Sequence, residues 1–201
     1  AGELSQLPSD ALPLHYQLTN SVTIGFSPSD FIQVNHNVNI AMVNQAIQWL
    51  ALSQEDTVLD LLCGLGNFSL PIAQKVSTVV GVEGVQTMVD KASLNAQHNN
   101  IDNCQFYQAD LNSQWLDKPW AQQSFSKVLL DPARAGAEQA TLQILKLKVP
   151  TVLYVSCDPT TLARDCALFT SQGYEICKIS LIDMFSQTKH VETMVLLKRT
   201  T

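Results

Sequence analysis

The chain has 201 residues, 46% of them hydrophobic and only 15% charged, which is enough to bury one sizeable core and too apolar for a disordered segment. Its formal net charge of −6 has the wrong sign for attracting nucleic-acid phosphates to the whole surface, so such a partner needs a local basic face or another domain. No apolar run approaches the roughly 18 residues of a transmembrane helix, and no basic leader precedes a short apolar segment. The five cysteines, Cys63, Cys104, Cys157, Cys166 and Cys177, are widely spaced and contain no C-x-x-C pair. The expectation is a monomeric, cytosolic protein with reduced thiols, no membrane association and no metal site within this chain.

In chain order, LHYQL and VTIGF around Thr19-Asn20-Ser21 read as a hairpin outside the main repeat, so residues 1–30 form a lead-in, a remnant of a preceding domain. The main domain spans 31–201. Val38, Met42, Val43, Ala46, Ile47 and Leu50 recur at helical spacing and predict an amphipathic helix. TVLDLLC (57–63) is a buried strand that ends in the turn GLGN, and a helix runs on to about Lys75. The strand TVVGVE (78–83) leads to a helix through His98, and CQFYQAD (104–110) and KVLLD (127–131) are the next strands. A helix over 137–146, the strand TVLYVS, a helix over 159–170 and the run GYEICKISLIDMF follow. TMVLLKR (193–199), with only a short connection before it, returns antiparallel. Continuous apolar strands alternating with helices predict a doubly wound, mostly parallel α/β sheet of Rossmann type, covered on both faces. Ligands of such sheets bind beyond the carboxyl ends of the strands, where Gly64–Asn67, Glu83, Asp110, Asp131 and Cys157 fall.

Two glycines after a strand let the backbone approach a ligand, and Glu83, 19 residues past Gly64, is placed to accept from ribose hydroxyls. Ser69 stands where a dinucleotide site wants its third glycine, so S-adenosylmethionine, which has no phosphate, fits better than NAD. A plain strand-to-helix turn remains the bland alternative. Asp131, stiffened by Pro132, either caps a turn or accepts from an N–H of a flat heterocycle. Arg134 pairs with Asp131 or with a phosphate. Phe31, Gln33 and Asn35 alternate on an extended chain and share a face suited to a base, unless Phe31 is simply core. Cys157 is either a small buried thiol or a nucleophile whose thiolate is favoured by the helix that follows. Glu192, just before the last strand and near the rim, is either solvated or a base.

The segments FSPSDFIQVN, VLDLLCGLGNFSLPIA, VVGVEG, KVLLDPARAGA, YVSCDPTTLARD and LIDMF...HVETMVLL, in this order and spacing, resemble the RNA uracil-5 methyltransferases. The resemblance runs from about Phe26 to Arg199. It implies Cys157 as catalytic nucleophile, Glu192 as general base, and S-adenosylmethionine contacts at Gln33, Leu62, Asn67, Glu83, Asp110 and Asp131. Phe31, Gln33 and Asp131 then lie near the target base. D-P-A-R, rather than D-P-P-R, at the Asp131 motif favours the ribosomal-RNA branch over the tRNA branch. Asp158 departs from the asparagine common after the family's cysteine. Family members also carry an RNA-binding barrel and, in the ribosomal branch, an iron-sulfur cluster on four cysteines. Both are expected only in an N-terminal portion outside this chain.

The implied chemistry explains the residue types. Thiolate addition to uracil C6 makes C5 nucleophilic toward the sulfonium methyl, and a base must then remove the C5 proton before the thiol leaves. A small-molecule or protein methyltransferase keeps the glycine turn and Glu83 without needing Cys157 or Glu192. Cytosine-5 RNA methyltransferases tend to have a second cysteine in the Asp131 motif. A non-catalytic RNA-binding domain is the remaining rival, and the net charge disfavours it.

Overall fold

The computed structural model describes residues 14–184 and 191–200. Residues 1–13 of the lead-in, Phe185 at the end of the GYEICKISLIDMF run, and Lys189 and His190 beside Glu192 lie outside the described residues. Strands β1 (His15–Gln17) and β2 (Thr23–Gly25) form a hairpin that turns through a 3-10 segment at Thr19–Ser21 and precedes helix α1 (His36–Leu50). Then come β3 (Thr57–Leu61), α2 (Ser69–Ala73), β4 (Thr78–Glu83), α3 (Gln86–His98), β5 (Cys104–Gln108) and β6 (Lys127–Leu130). The chain continues through α4 (Glu138–Leu147), β7 (Thr151–Ser156), α5 (Pro159–Ser171), β8 (Tyr174–Ile182) and β9 (Glu192–Arg199).

The seven strands β3 to β9 make one sheet in the order β5-β4-β3-β6-β7-β9-β8. The five strands from β3 to β7 pair in parallel, and β9 runs antiparallel to both its neighbours, β7 and β8. Successive side chains of a strand point to opposite faces, and here both faces are covered. Leu59, Leu61, Val128, Leu130, Val152 and Tyr154 enter one core with Ile144 and Phe169 of α4 and α5. Val58, Leu129, Leu153 and Val155 enter the other with Met42, Val43 and Ala46 of α1. This two-sided burial is why the strands read as unbroken apolar runs.

Two elements depart from expectation. Helix α2 has five residues and stops at Ala73 rather than Lys75. The Asn103 side-chain amide donates to the carbonyls of Ala73 (2.8 Å) and Val76 (2.9 Å), satisfying groups left open where the helix stops. The hairpin, although outside the repeat, is built into the fold: Leu18, Val22 and Ile24 are buried in the same core as α1. Its attachment to α3 imitates a β-ladder. Asn99 Oδ1 accepts from Thr23 N (2.8 Å) and its amide donates to Thr23 O (2.7 Å), while Asn95 does the same for Gly25 (2.9 and 3.2 Å). Side chains one helical turn apart thereby meet residues two apart on β2.

Candidate active site

The chain runs outward from β3 through β4 to β5 and then returns to β6 on the other side of β3, so a crevice opens between β3 and β6. A cavity of about 820 Å³ lies there. Its walls come from strand ends: Glu83 closes β4, Leu62 follows β3, Asp131 follows β6 and Cys157 follows β7. Ser156 pairs with Thr193 in the antiparallel ladder, so Cys157, which follows Ser156, and Glu192, which precedes Thr193, come together at that end of the sheet.

On the β4 side the backbone is bent around the glycine turn. Leu62, Gly64 and Gly66 all have positive φ, at 64°, 55° and 91°. For Leu62 this conformation costs about 1–2 kcal/mol, strain held at the cavity wall by bonds from Leu62 N and Cys63 N to Val82 O (2.8 and 3.1 Å). The Glu83 carboxylate accepts from Gly64 N at 3.1 Å, Gly84 N at 2.7 Å and Val85 N at 3.1 Å. It thus ties the glycine turn to the start of α3 and retains lone pairs for ribose hydroxyls. Asn67 pairs reciprocally with the amide of Asn39 (2.9 Å each way) and accepts from Tyr16 Oη at 3.0 Å. Asp110 is exposed, accepts from Asn112 N at 2.9 Å, and lies outside the residues that line the cavity.

On the β7 side Phe31, Gln33, Asp131, Arg134, Cys157 and Glu192 share the cavity wall. Phe31 is 72% exposed at the mouth. Asn35 does not share that face; its Oδ1 accepts from Val38 N and caps α1. Glu192 is 4% exposed as the first residue of β9, paired with Ile182, and so is buried rather than on a solvated rim. Gln33 Oε1 and Glu192 Oε2 are buried acceptors with no partner among the described residues. Buried acceptors cost free energy unless a donor reaches them, which makes this wall fit a ligand that carries N–H groups.

Burial pushes the Glu192 carboxyl up. Burial, then Glu192, then Asp60, pushes Asp131 well above the usual carboxylate range. The Cys157 thiol also goes up, because burial and the Glu192 charge outweigh its own backbone N–H and the Arg134 charge, with Asp131 adding to the rise. The net shift in the free protein is thus toward the thiol, alongside whatever the following helix contributes to the thiolate. Cys63 lines the cavity as well, but it is buried and its thiol is pushed further up by burial, Asp60 and Glu83. Cys104 and Cys166 are buried and Cys177 is exposed, all three outside the cavity lining.

Sequence reasoning missed Tyr16, Asn39 and Asp60. Asp60 is buried, accepts from Ser69 Oγ, and is pushed to about 7 by burial. A signal existed for Asn39, a polar residue on the apolar stripe of α1. None existed for Tyr16, whose contact with Asn67 spans 51 residues.

Sheet order, glycine turn and an acid closing β4 together define the Rossmann-like methyltransferase architecture. A magnesium protoporphyrin IX methyltransferase from Synechocystis, solved with bound SAM, shares this fold at a TM-score of 0.64 and 18% identity, over 88% of this chain and 87% of that one. The chain belongs to the tRNA (uracil-5-)-methyltransferase family, whose model matches residues 19–200. The Pyrococcus abyssi tRNA (uracil-54, C5)-methyltransferase, solved with S-adenosyl-L-homocysteine, superposes at a TM-score of 0.79 with 27% identity, over 92% of this chain and 44% of that one. The 23S rRNA (uracil(1939)-C(5))-methyltransferase RlmD of Colwellia psychrerythraea is 64% identical over 95% of this chain and 41% of its own length. A Photobacterium angustum protein of the same name is 51% identical over 92% of this chain and 84% of its own length. The chain spans about two fifths of the length of most of these curated relatives.

Proposed function

We propose that this chain is the catalytic part of an RNA (uracil-5-)-methyltransferase that acts on 23S ribosomal RNA in the cytoplasm. The observation that carries this reading is the convergence of Cys157, Glu192, Asp131 and Gln33 on one wall of a cavity whose other wall holds Glu83 and the glycine turn. The activity of these relatives supports the ribosomal target, and D-P-A-R at Asp131 agrees with it. The P. abyssi enzyme keeps a tRNA target as the second reading.

The cofactor lobe takes S-adenosylmethionine, with Glu83 on the ribose hydroxyls and Leu62, Asn67 and Gln33 along its length; Asp110 joins only if its turn closes over the adenine. When bound, the cofactor supplies an electrophilic methyl group on a sulfonium. In the other lobe a flipped uracil stacks by Phe31, and Gln33 Oε1 or Asp131 meets its N–H. Cys157 adds to C6 as the thiolate, and C5 becomes the nucleophile that takes the methyl group. Glu192 then takes the C5 proton, and Cys157 leaves as C5–C6 unsaturation returns. A buried base with a raised pKa suits abstraction from carbon near neutral pH. Cys157→Ala should bind S-adenosylmethionine with wild-type affinity yet transfer no methyl group to RNA. Methylation by that variant at more than about a thousandth of the wild-type rate contradicts the proposal.

A further inference from the structure

The loop that carries Asp131 and Arg134 is fastened to the helix that follows Cys157, and the fastening lies outside the cavity. Thr161 Oγ1 donates to Arg134 O at 3.1 Å, and Arg164 Nη2 donates to Ala135 O at 3.1 Å. Asp165 Oδ2 accepts from Ala137 N at 2.8 Å and from the Tyr154 hydroxyl. Asp165 is completely buried, and its other oxygen accepts from Arg164 Nε at 2.8 Å. Residues 161, 164 and 165 share one helix face, so three successive points of the loop are held by a single turn of α5. Gly136 sits between these points at φ 74°, and a Cβ there would come within 2.6 Å of Arg164 Nη2, 2.7 Å of Asp165 Oδ2 and 2.9 Å of Thr161 Cβ. The fit leaves no room for a side chain.

We infer that Asp165, with Thr161 and Arg164, is a positioning clamp that locks the Arg134 loop to the nucleophile's helix and thereby sets the electrostatic surroundings of Cys157. The helix is itself fixed at the cysteine end: Asp158 Oδ1 accepts from Thr160 N and Thr161 N (2.9 and 3.0 Å). Thr161 therefore belongs to both the cap and the clamp. Three charged groups act on the thiol: Glu192 from β9, Asp131 from the end of β6, and Arg134 from the clamped loop. Only Arg134 favours the thiolate, and only Arg134 lies within the clamped stretch. Asp131 is held instead by β6 and Pro132. The inference uses the proposed role of Cys157, but its test does not depend on that role.

The experiment is peptide-resolved alkylation of Cys157 by iodoacetamide across pH, on wild type, Thr161→Val and Asp165→Asn. Loosening the loop draws Arg134 away, so the alkylation midpoint should move upward by about half a pH unit or more, further in Asp165→Asn. Thr161→Ser should restore the wild-type midpoint, and calorimetric affinity for S-adenosylmethionine should stay within about twofold in all variants, because Glu83 is untouched. Thr161→Val removes one hydroxyl from a partly exposed site, so it carries the test even if Asp165→Asn does not fold. A wild-type midpoint in folded Thr161→Val overturns the clamp. Methyl transfer by Cys157→Ala would instead overturn the nucleophile assignment and leave the alkylation result standing.

Discussion

At the scale of single residues, acidic groups are divided by environment into two tasks. Glu83 is met by three backbone N–H donors, whereas Glu192 and Asp131 are set against burial with few donors, and both are pushed up. Glu83→Ala should therefore weaken S-adenosylmethionine binding by about 1–3 kcal/mol through lost charge-assisted hydrogen bonds, and equal affinity by calorimetry would contradict the ribose assignment. Glu192 raises the Cys157 thiol through its negative charge. Replacing it by the neutral amide in Glu192→Gln should shift the alkylation profile of Cys157 to lower pH; an unmoved or higher midpoint would separate the two residues. The same variant should stall after methyl transfer, since nothing is left to take the C5 proton. Asp60 works differently. Its folded-state pKa of about 7 lies above the usual carboxylate value of 3.8, so the stability it contributes is full below the lower value and lost as pH rises through the upper one. Wild type should lose stability relative to Asp60→Asn between about pH 4 and 7 in urea melts, and parallel pH profiles would show that Asp60 does not titrate in this range.

At the scale of elements, the two asparagines of α3 attach a hairpin that supplies Tyr16 to the cavity. Asn95→Ala and Asn99→Ala each remove bonds to partly buried β2 backbone and should each cost about 1–3 kcal/mol in denaturant melts. Because Asn95 also donates to Leu65 O within the glycine turn (3.1 Å), only Asn95→Ala should weaken cofactor binding as well. Equal cofactor affinities in the two variants would argue against that coupling. The sheet elements were legible in the sequence because the inner strands are apolar on both faces, and β3, β4 and β6 run out at a glycine turn or an acid, as TVLDLLCGLG does. The contacts that tune the site were less legible. Asp165 reads as one more charge on α5, yet it is buried, and its partner Ala137 is 28 residues away. The burial of Glu192 follows from its pairing with Ile182 on β8, which no local pattern encodes. The edge strand β8 shows the reverse: Ile176, Ile179 and Leu181 are large apolar residues but are 42%, 62% and 73% exposed. A bulge between Ile176 and Lys178, together with the Lys178 charge over the Trp49 ring, makes that edge a poor template for further strand pairing.

At the scale of the whole molecule, an acidic chain of net charge −6 is proposed to act on a strongly anionic polymer. These fit together if the chemistry and the electrostatics are separated: the cavity holds one base and one cofactor, while attraction to the phosphate backbone comes from surfaces outside it. No helix among the described residues is long and apolar enough to cross a membrane, and no group of three His, Cys, Asp or Glu side chains there could hold a metal ion. The reaction proposed for the cavity uses a thiol, a carboxylate and the cofactor's methyl group. Its central claim is that Cys157 bonds to uracil C6 before the methyl group moves. A 5-fluorouridine RNA tests this most directly, because fluorine at C5 cannot be removed as a proton and the covalent species accumulates. After incubation with the protein and S-adenosylmethionine, digestion and mass spectrometry should find the methylated fluorouridine on the peptide that contains Cys157. An adduct on Cys63 or any other residue, or no adduct from protein that methylates the unfluorinated RNA, would contradict it.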